Sequence, residues 1–338
     1  MKILMILPEF EEGGVERHVL WLSTELSALG HSVWIATAGG RLEAMLPPEI
    51  RILHLPVHRK NPATAGFCAA RLAALCRTEG IDLLHAHSRV PAWIAWWTSR
   101  ISGKPWVVTA HDRYRKNWAI RPFREAKGAI CVSEAVRSHL EGDLPPNTSV
   151  VRNGIPDFAE RWNKARMNSS CQLLFVGRLT RRKGLQVVIP ALATLKERSW
   201  NLDVVGDGPQ RQELEEMVKS LDLVGKVRFH GFRDDVGRWM AESDCFLFPS
   251  LDEGMPLTLM QAIRVGIPVL ASRIEPVVEL VGRDDVLLPA GDVSAWSDRL
   301  AEVLNGDWLP PCFDPDLVPS ARQMAQRTLE FLSDVSGL

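Results

Sequence analysis

Arg178 and Lys183 stand five residues apart, on either side of the point where an apolar run, Leu173–Val176, gives way to helical spacing. A guanidinium offers a planar fork of donors and an ammonium a mobile point charge, so the pair suits an anion, and a diphosphate in particular. A solvated basic turn is the competing reading, because Arg181 and Arg182 lie between them. A second segment, Ser250-Leu251-Asp252-Glu253-Gly254-Met255-Pro256, follows the apolar run Phe246–Phe248 and precedes a helical pattern over Leu257–Arg264. Pro256 suits the first helical position, where a missing N–H costs nothing. Gly254 allows a ligand close to the backbone. The helix start offers free N–H groups and partial positive charge to a second phosphate contact. Glu253 is suited to accepting hydrogen bonds from hydroxyls, or else is a plain helix-start carboxylate. Gln261 shares the helix face of Leu257 and Thr258.

His111 closes another apolar run, Trp106–Ala110, where it either meets a ligand or caps the last carbonyl of a strand. Gly13-Gly14 opens a loop whose N–H groups could approach a ligand, but it is no G-x-G-x-x-G, so a nicotinamide site is unsupported. Glu12, Glu16, Arg17 and His18 around it either touch a ligand or, the favoured reading, are solvated surface. His85 and His87 alternate at a strand end, a spacing that does not by itself make a metal site.

Positioning these residues requires strands that end at one edge. Strands are predicted at Lys2–Leu7, Ser32–Thr37, Arg51–Leu55, Ile81–Ala86, Trp106–Ala110, Gly128–Val132 and Ser149–Val151, with helices Gly14–Leu29, Thr64–Glu79 and Val90–Ile101 between them. Such alternation means parallel strands with right-handed crossovers. After the turn signal Asn153-Gly154-Ile155-Pro156 and a polar stretch to Ser170 the pattern restarts. The second series is Gln172–Gly177, helix Lys183–Arg198, Asn201–Gly206, helix Gln210–Leu221, Lys226–His230, Cys245–Pro249, helix Pro256–Arg264 and Pro268–Ala271. Two Rossmann-like α/β domains are expected, residues 1–155 and 156–317, with parallel sheets facing a central cleft. A helix within residues 318–338, spaced over Val318–Phe331, is expected to pack back on the first domain. Trp93, Trp96 and Trp97 are spaced as core-facing residues.

The composition, 46% apolar and 24% charged, is that of a globular protein. Six cysteines without C-x-x-C pairing point to reduced thiols in a reducing compartment, and no apolar run reaches membrane-spanning length. A cytoplasmic protein is expected. Net charge is −1, yet residues 1–155 carry 19 basic and 14 acidic side chains while the remainder carry 21 and 27. A basic first half suggests a polyanionic or membrane-surface partner, with scattered surface arginines of no collective role as the alternative reading.

Gly177-Arg178-Leu179 with Lys183-Gly184, then Glu253-Gly254-Met255-Pro256 through Gln261 and Gly266-Ile267-Pro268-Val269, resembles the retaining glycosyltransferases of family 4, which have the GT-B fold. Gly13-Gly14, Thr109-Ala110-His111-Asp112, Ser133-Glu134 and an Asn153-Gly154 hinge extend the resemblance over the whole chain. It implies that Arg178 and Lys183 hold and stabilise the departing diphosphate of a nucleotide-sugar, with no metal or other cofactor required. It implies that Glu253 contacts sugar hydroxyls, that the stretch Gly254, Met255, Pro256, Leu257 and Thr258 lines sugar and phosphates, and that His111 and Gly14 serve the donor. Gly177, Gly206 and Phe232 would lie beside the nucleotide, with uridine the expected base. The family places a second glutamate where this chain has Gln261, which implies weaker ribose binding. Transfer would proceed with retention, the leaving phosphate taking the acceptor's proton, with domain closure about Asn153-Gly154.

The acceptor implied is a glycan or glycolipid of bacterial envelope polysaccharide or lipopolysaccharide; no nucleic acid partner is expected. Arg113, Arg115, Lys116, Arg121, Arg124 and Lys127 interleaved with Tyr114, Trp118 and Phe123 suit peripheral contact with the inner membrane surface through residues 113–127. A polar loop over buried aromatics is the alternative there. A non-catalytic sugar-nucleotide-binding protein, suggested by Gln261, and a GT-B epimerase are the competing functions. A phosphorylase would carry a pyridoxal lysine site, which the sequence does not show.

Overall fold

The computed structural model describes residues 1–163, 170–283 and 286–337. Residues 164–169 of the expected polar stretch lie outside them. The chain forms two compact units: Met1–Pro156 together with Pro319–Leu338, and Asp157–Val318.

The first unit runs β1 (Lys2–Ile6), α1 (Gly14–Ala28), β2 (Ser32–Thr37), β3 (Arg51–His54), α2 (Pro62–Glu79), β4 (Leu83–His87), α3 (Arg89–Ser102), β5 (Trp106–Ala110), β6 (Gly128–Cys131), α4 (Glu134–Leu140) and β7 (Thr148–Val150). All pairings in its sheet are parallel, in the order β3-β2-β1-β4-β5-β6-β7. Every residue of β4 and β5 is buried, His85 and His87 of β4 included, as strands are when helices cover both faces of a parallel sheet. Local chemistry sets the helix ends. The Asn61 side chain accepts from Thr64 N at the start of α2, Pro62 occupies its first turn, and Gly80 ends it in the left-handed region at φ +65°.

The second unit runs β8 (Cys171–Val176), α5 (Leu185–Ala193), β9 (Trp200–Val205), α6 (Arg211–Ser220), β10 (Val227–Gly231), α7 (Val236–Glu242), β11 (Cys245–Phe248), α8 (Leu257–Val265), β12 (Val269–Arg273), α9 (Glu275–Val281), β13 (Leu288–Pro289) and α10 (Val293–Asn305). Its parallel sheet follows the order β10-β9-β8-β11-β12-β13 over a core built around Trp200, Trp296, Phe175 and the leucines of α5. Chain order thus reverses between β1 and β4 in one unit and between β8 and β11 in the other. Loops that leave adjacent strands in opposite directions open a crevice at these points.

Helix α11 (Ala321–Ser336) starts with a reciprocal capping box, Ser320 with Gln323, and packs along α1 in the first unit. Its entry pairs with the exit from the first unit. Ile155 N donates to Pro319 O, Ala321 N donates to Ile155 O, and Gly154 N points at Met324 Sδ, 3.1 Å away. Asn153 and Gly154, the expected hinge, are buried inside the first unit, and the boundary falls after Pro156.

Three further expectations change. The helix expected over Lys183–Arg198 is a 3-10 turn at Arg181–Lys183, a left-handed Gly184, and α5. Pro256 is the residue before α8 rather than its first, with ψ 77°. Trp93, Trp96 and Trp97 are half-buried, and α3 turns Pro91, Ala92, Ile94, Ala95 and Thr98 inward instead. Trp93 Nε1 donates to Ala119 O, and Arg100 lies over the Trp96 ring at 4.8 Å.

A Cβ at residue 154 would stand 2.1 Å from Ser320 O, a backbone atom fixed by the crossing strand segments. Gly154→Ala is expected to lower stability by about 2 kcal/mol or more, read as a lower Tm, because neither backbone can retreat.

Candidate active site

In the second unit the loops after β8 and β11 leave the carboxyl ends of neighbouring strands and are bolted together. Leu251 N donates to Arg182 O at 2.8 Å, and Arg182 Nε donates to Asp252 O at 2.7 Å. Gly184 has φ +76°, and a Cβ there would lie 1.8 Å from Pro249 O. Only glycine allows this approach, which seats Lys183 against Glu253. Lys183 Nζ donates to Glu253 Oε1 at 2.6 Å, and the Ser250 hydroxyl donates to the same oxygen at 2.9 Å. The Lys183 side chain is 24% exposed and that of Glu253 9%. An ammonium has three donors, so Lys183 keeps two for an incoming anion. Glu253 Oε2 has no hydrogen bond among the described residues.

Arg178, in the same loop, is exposed, and its side chain makes no hydrogen bond or ion pair among the described residues. A guanidinium held by a rigid loop yet unpaired is available to a ligand. Gly177, Gly206 and Gly231 line the adjoining edge: Gly177 N donates to Val205 O, and Gly206 N donates to Gly231 O at 2.7 Å. A Cβ on Gly206, where φ is +133°, would stand 2.0 Å from Gly177 O. Phe232 follows directly and is half-buried. Gly254, Met255, Pro256 and Leu257 are buried at the start of α8. The Thr258 hydroxyl is buried without a partner, and Gln261, 5% exposed, makes no side-chain hydrogen bond among the described residues. Of the site residues expected in this half, Gly177, Arg178, Lys183, Glu253 and Gly254 lie in the two loops at the switch point between β8 and β11, Met255 and Pro256 lead into α8, which carries Leu257, Thr258 and Gln261, and Gly206 and Phe232 follow β9 and β10.

His111 and Gly14 belong to the first unit. Gly14 is the first residue of α1 and is exposed. His111 is no lone imidazole. His18 Nδ1 donates to Asn153 Oδ1 at 2.7 Å, His87 Nδ1 and His111 Nε2 are 3.1 Å apart, and His85 Nε2 is 2.7 Å from Thr109 Oγ1. His18, His85 and His87 are buried, correcting the solvated reading of His18, and His18 Nε2, His85 Nδ1 and His87 Nε2 have no partner. Each such orphan costs about 1–3 kcal/mol. The signal for this cluster lay in the strand period: His85 and His87 share a face of β4, and the register His87↔Thr109 brings β5 and its exit residue His111 alongside. In the segment 113–127, Trp118 is 76% exposed among exposed Arg115, Lys116 and Arg121, whereas Phe123 is buried.

Paired Rossmann-like units with parallel sheets are the GT-B fold. Residues 12–157 match the family model Glycosyltransferase Family 4 and residues 170–306 match Glycosyl transferases group 1, and the chain belongs to this family. It is 29% identical to the phosphatidyl-myo-inositol mannosyltransferase of Mycobacterium leprae, over 91% of this chain and 89% of that one. It is 24% identical to the N-acetyl-alpha-D-glucosaminyl L-malate synthase of Bacillus anthracis, over 85% and 84%. The crystal structure of Anabaena Alr3699/HepE in complex with UDP and glucose superposes with a TM-score of 0.83 at 19% identity, over 98% of this chain and 99% of that one.

Burial lowers the His18 pKa to about 4, and burial with the charge of His18 lowers that of His85 to about 3; His87 and His111 are held well below 6.5. The unfolded chain therefore takes up protons below pH 6.5 that the folded one refuses. Stability is complete above that value and is lost as pH falls toward about 4, by about 1.4 kcal/mol per pH unit for each imidazole. Urea denaturation at pH 5 and pH 7 should show this slope, and His85→Gln should flatten it by about one imidazole's share.

Proposed function

We propose that this glycosyltransferase transfers a hexosyl group from a UDP-linked donor to a hydroxyl of a glycan or glycolipid, with retention at the anomeric carbon. The observation that carries this reading is the Lys183–Glu253–Ser250 assembly beside unpaired Arg178 at the switch point of the second unit. Arg178 and the spare donors of Lys183 meet the diphosphate, whose bridging oxygen gains charge as its bond to the sugar breaks. Two cationic side chains supply this stabilisation without a metal at the phosphates. Glu253, oriented by Lys183 and Ser250, accepts from sugar hydroxyls through Oε2. The acceptor oxygen forms the new glycosidic bond, and its proton passes to the departing diphosphate. His111 is the first unit's contribution to the reaction, a neutral imidazole able to donate to or accept from a hydroxyl.

A lipid-linked acceptor in envelope polysaccharide or lipopolysaccharide synthesis is supported by relatives named for such work: the mannosyltransferase above and the putative colanic acid biosynthesis glycosyltransferase WcaL of Salmonella typhimurium, 33% identical over 53% of this chain. Exposed Trp118 within a basic surface fits contact with an anionic membrane face. No helix among the described residues is long and apolar enough to cross a membrane.

Because Arg178 has no partner to lose, Arg178→Ala should leave the Tm of the free protein unchanged while weakening UDP binding about 10- to 100-fold in calorimetry. Unchanged UDP affinity would remove Arg178 from the site, and a shift with NAD but not UDP would overturn the nucleotide-sugar reading. Gln261→Glu restores a charged acceptor, and UDP affinity is expected to rise about 3- to 10-fold. No change on titration would show that residue 261 does not touch the nucleotide.

A further inference from the structure

Three imidazoles of the first unit converge in a way that hydroxyl binding by His111 does not account for. His18 comes from α1, His87 from the carboxyl end of β4, and His111 from the exit of β5, so they meet where strand order reverses between β1 and β4. Each offers one ring nitrogen within 4.8 Å of the other two. Metal–nitrogen bonds of 2.0–2.1 Å at a tetrahedral angle put ligand nitrogens about 3.3 Å apart and imidazole ring centres about 5.2 Å apart. The ring centroids of His18 and His111 are 4.6 Å apart, those of His87 and His111 5.3 Å, and those of His18 and His87 5.5 Å. The one close nitrogen pair, His87 Nδ1 with His111 Nε2, stands at 3.1 Å.

Ring chemistry agrees with the spacing. Asn153, itself buried, accepts the His18 Nδ1 proton, which fixes the tautomer and leaves the Nε2 lone pair aimed into the cluster without a partner. A carbonyl behind the distal ring nitrogen is the outer-shell support that metal-bound histidines require. No acidic side chain belongs to the group, so the donor set is three neutral imidazoles, which suit borderline transition ions and not magnesium or calcium.

We propose that His18, His87 and His111 form a binding site for one divalent transition-metal ion of the Zn2+ class, with a fourth position open on the half-buried His111 side. The ion takes the place of the proton shared by His87 and His111, the His87 proton moving to its other nitrogen. His85, whose Nε2 faces Thr109, lies beside His87 with ring centroids 4.2 Å apart and planes tilted by 39°, outside the ligand set.

The test uses the full chain without a histidine tag, stripped with chelator and titrated with Co2+ as a coloured substitute for Zn2+. One equivalent should bind and give the intense visible bands of low-coordinate cobalt. His111→Ala should abolish those bands and weaken Zn2+ binding at least 100-fold in calorimetry, while His54→Ala, at an exposed position, leaves both intact. Saturable binding that survives His111→Ala, or no saturable binding to the parent chain, overturns the proposal. Should the variant misfold, X-ray absorption of the Zn2+-loaded parent decides: three imidazoles support the site, and an all-oxygen shell refutes it. None of these readouts depends on transfer activity.

Discussion

A parallel sheet sends every strand's exit to one edge, and where the chain order reverses two neighbouring exits must part. That geometric rule governs both units. Between β8 and β11 it leaves room that the loops fill with two ion pairs, Lys183 to Glu253 and Arg182 to Asp252, and with Arg178, whose side chain has no partner among the described residues. Between β1 and β4 it leaves room that four histidines fill. Burial of the strands on both faces makes the edge rigid, and the rigid edge is what permits side chains to be held short of satisfaction.

The two edges use opposite electrostatics. In the second unit charge is concentrated: a carboxylate 9% exposed is neutralised by one ammonium and one hydroxyl, and surplus cationic donors remain for phosphate. In the first unit charge is expelled. Desolvation keeps the imidazoles neutral, so they present lone pairs and N–H groups without counter-ions. A chemistry that separates an anionic leaving group from a neutral sugar and a neutral hydroxyl has use for both environments.

Much of the fold was legible in residue order. Apolar runs separated by helical spacing gave β1 to β12 to within a residue or two and missed the two-residue β13, and the Arg178–Lys183 and Glu253–Pro256 segments stood out by type and spacing. What sequence could not convey was which loop leans on which. The left-handed turn at Gly184 cut a long expected helix into a 3-10 turn and a shorter helix, because its backbone must touch Pro249. Tryptophans at helical spacing read as core, yet their bulk sits at the rim of α3 while small residues face the sheet. His18 looked like a surface residue because its neighbours are charged; its burial follows from β4, some seventy positions away, and from Asn153.

The side-by-side passage of Ile155 and Ser320 has a kinetic meaning. The segment Asp157–Val318 is an insertion in the other unit, which is discontinuous in sequence and cannot bury the faces of α1 and β6 until α11 has been synthesised. Translation therefore delivers a complete second unit while the first is still missing a helix, and the nascent chain must keep an apolar surface waiting through that interval. A chain that stopped at residue 318 would leave α1 without the helix that covers it.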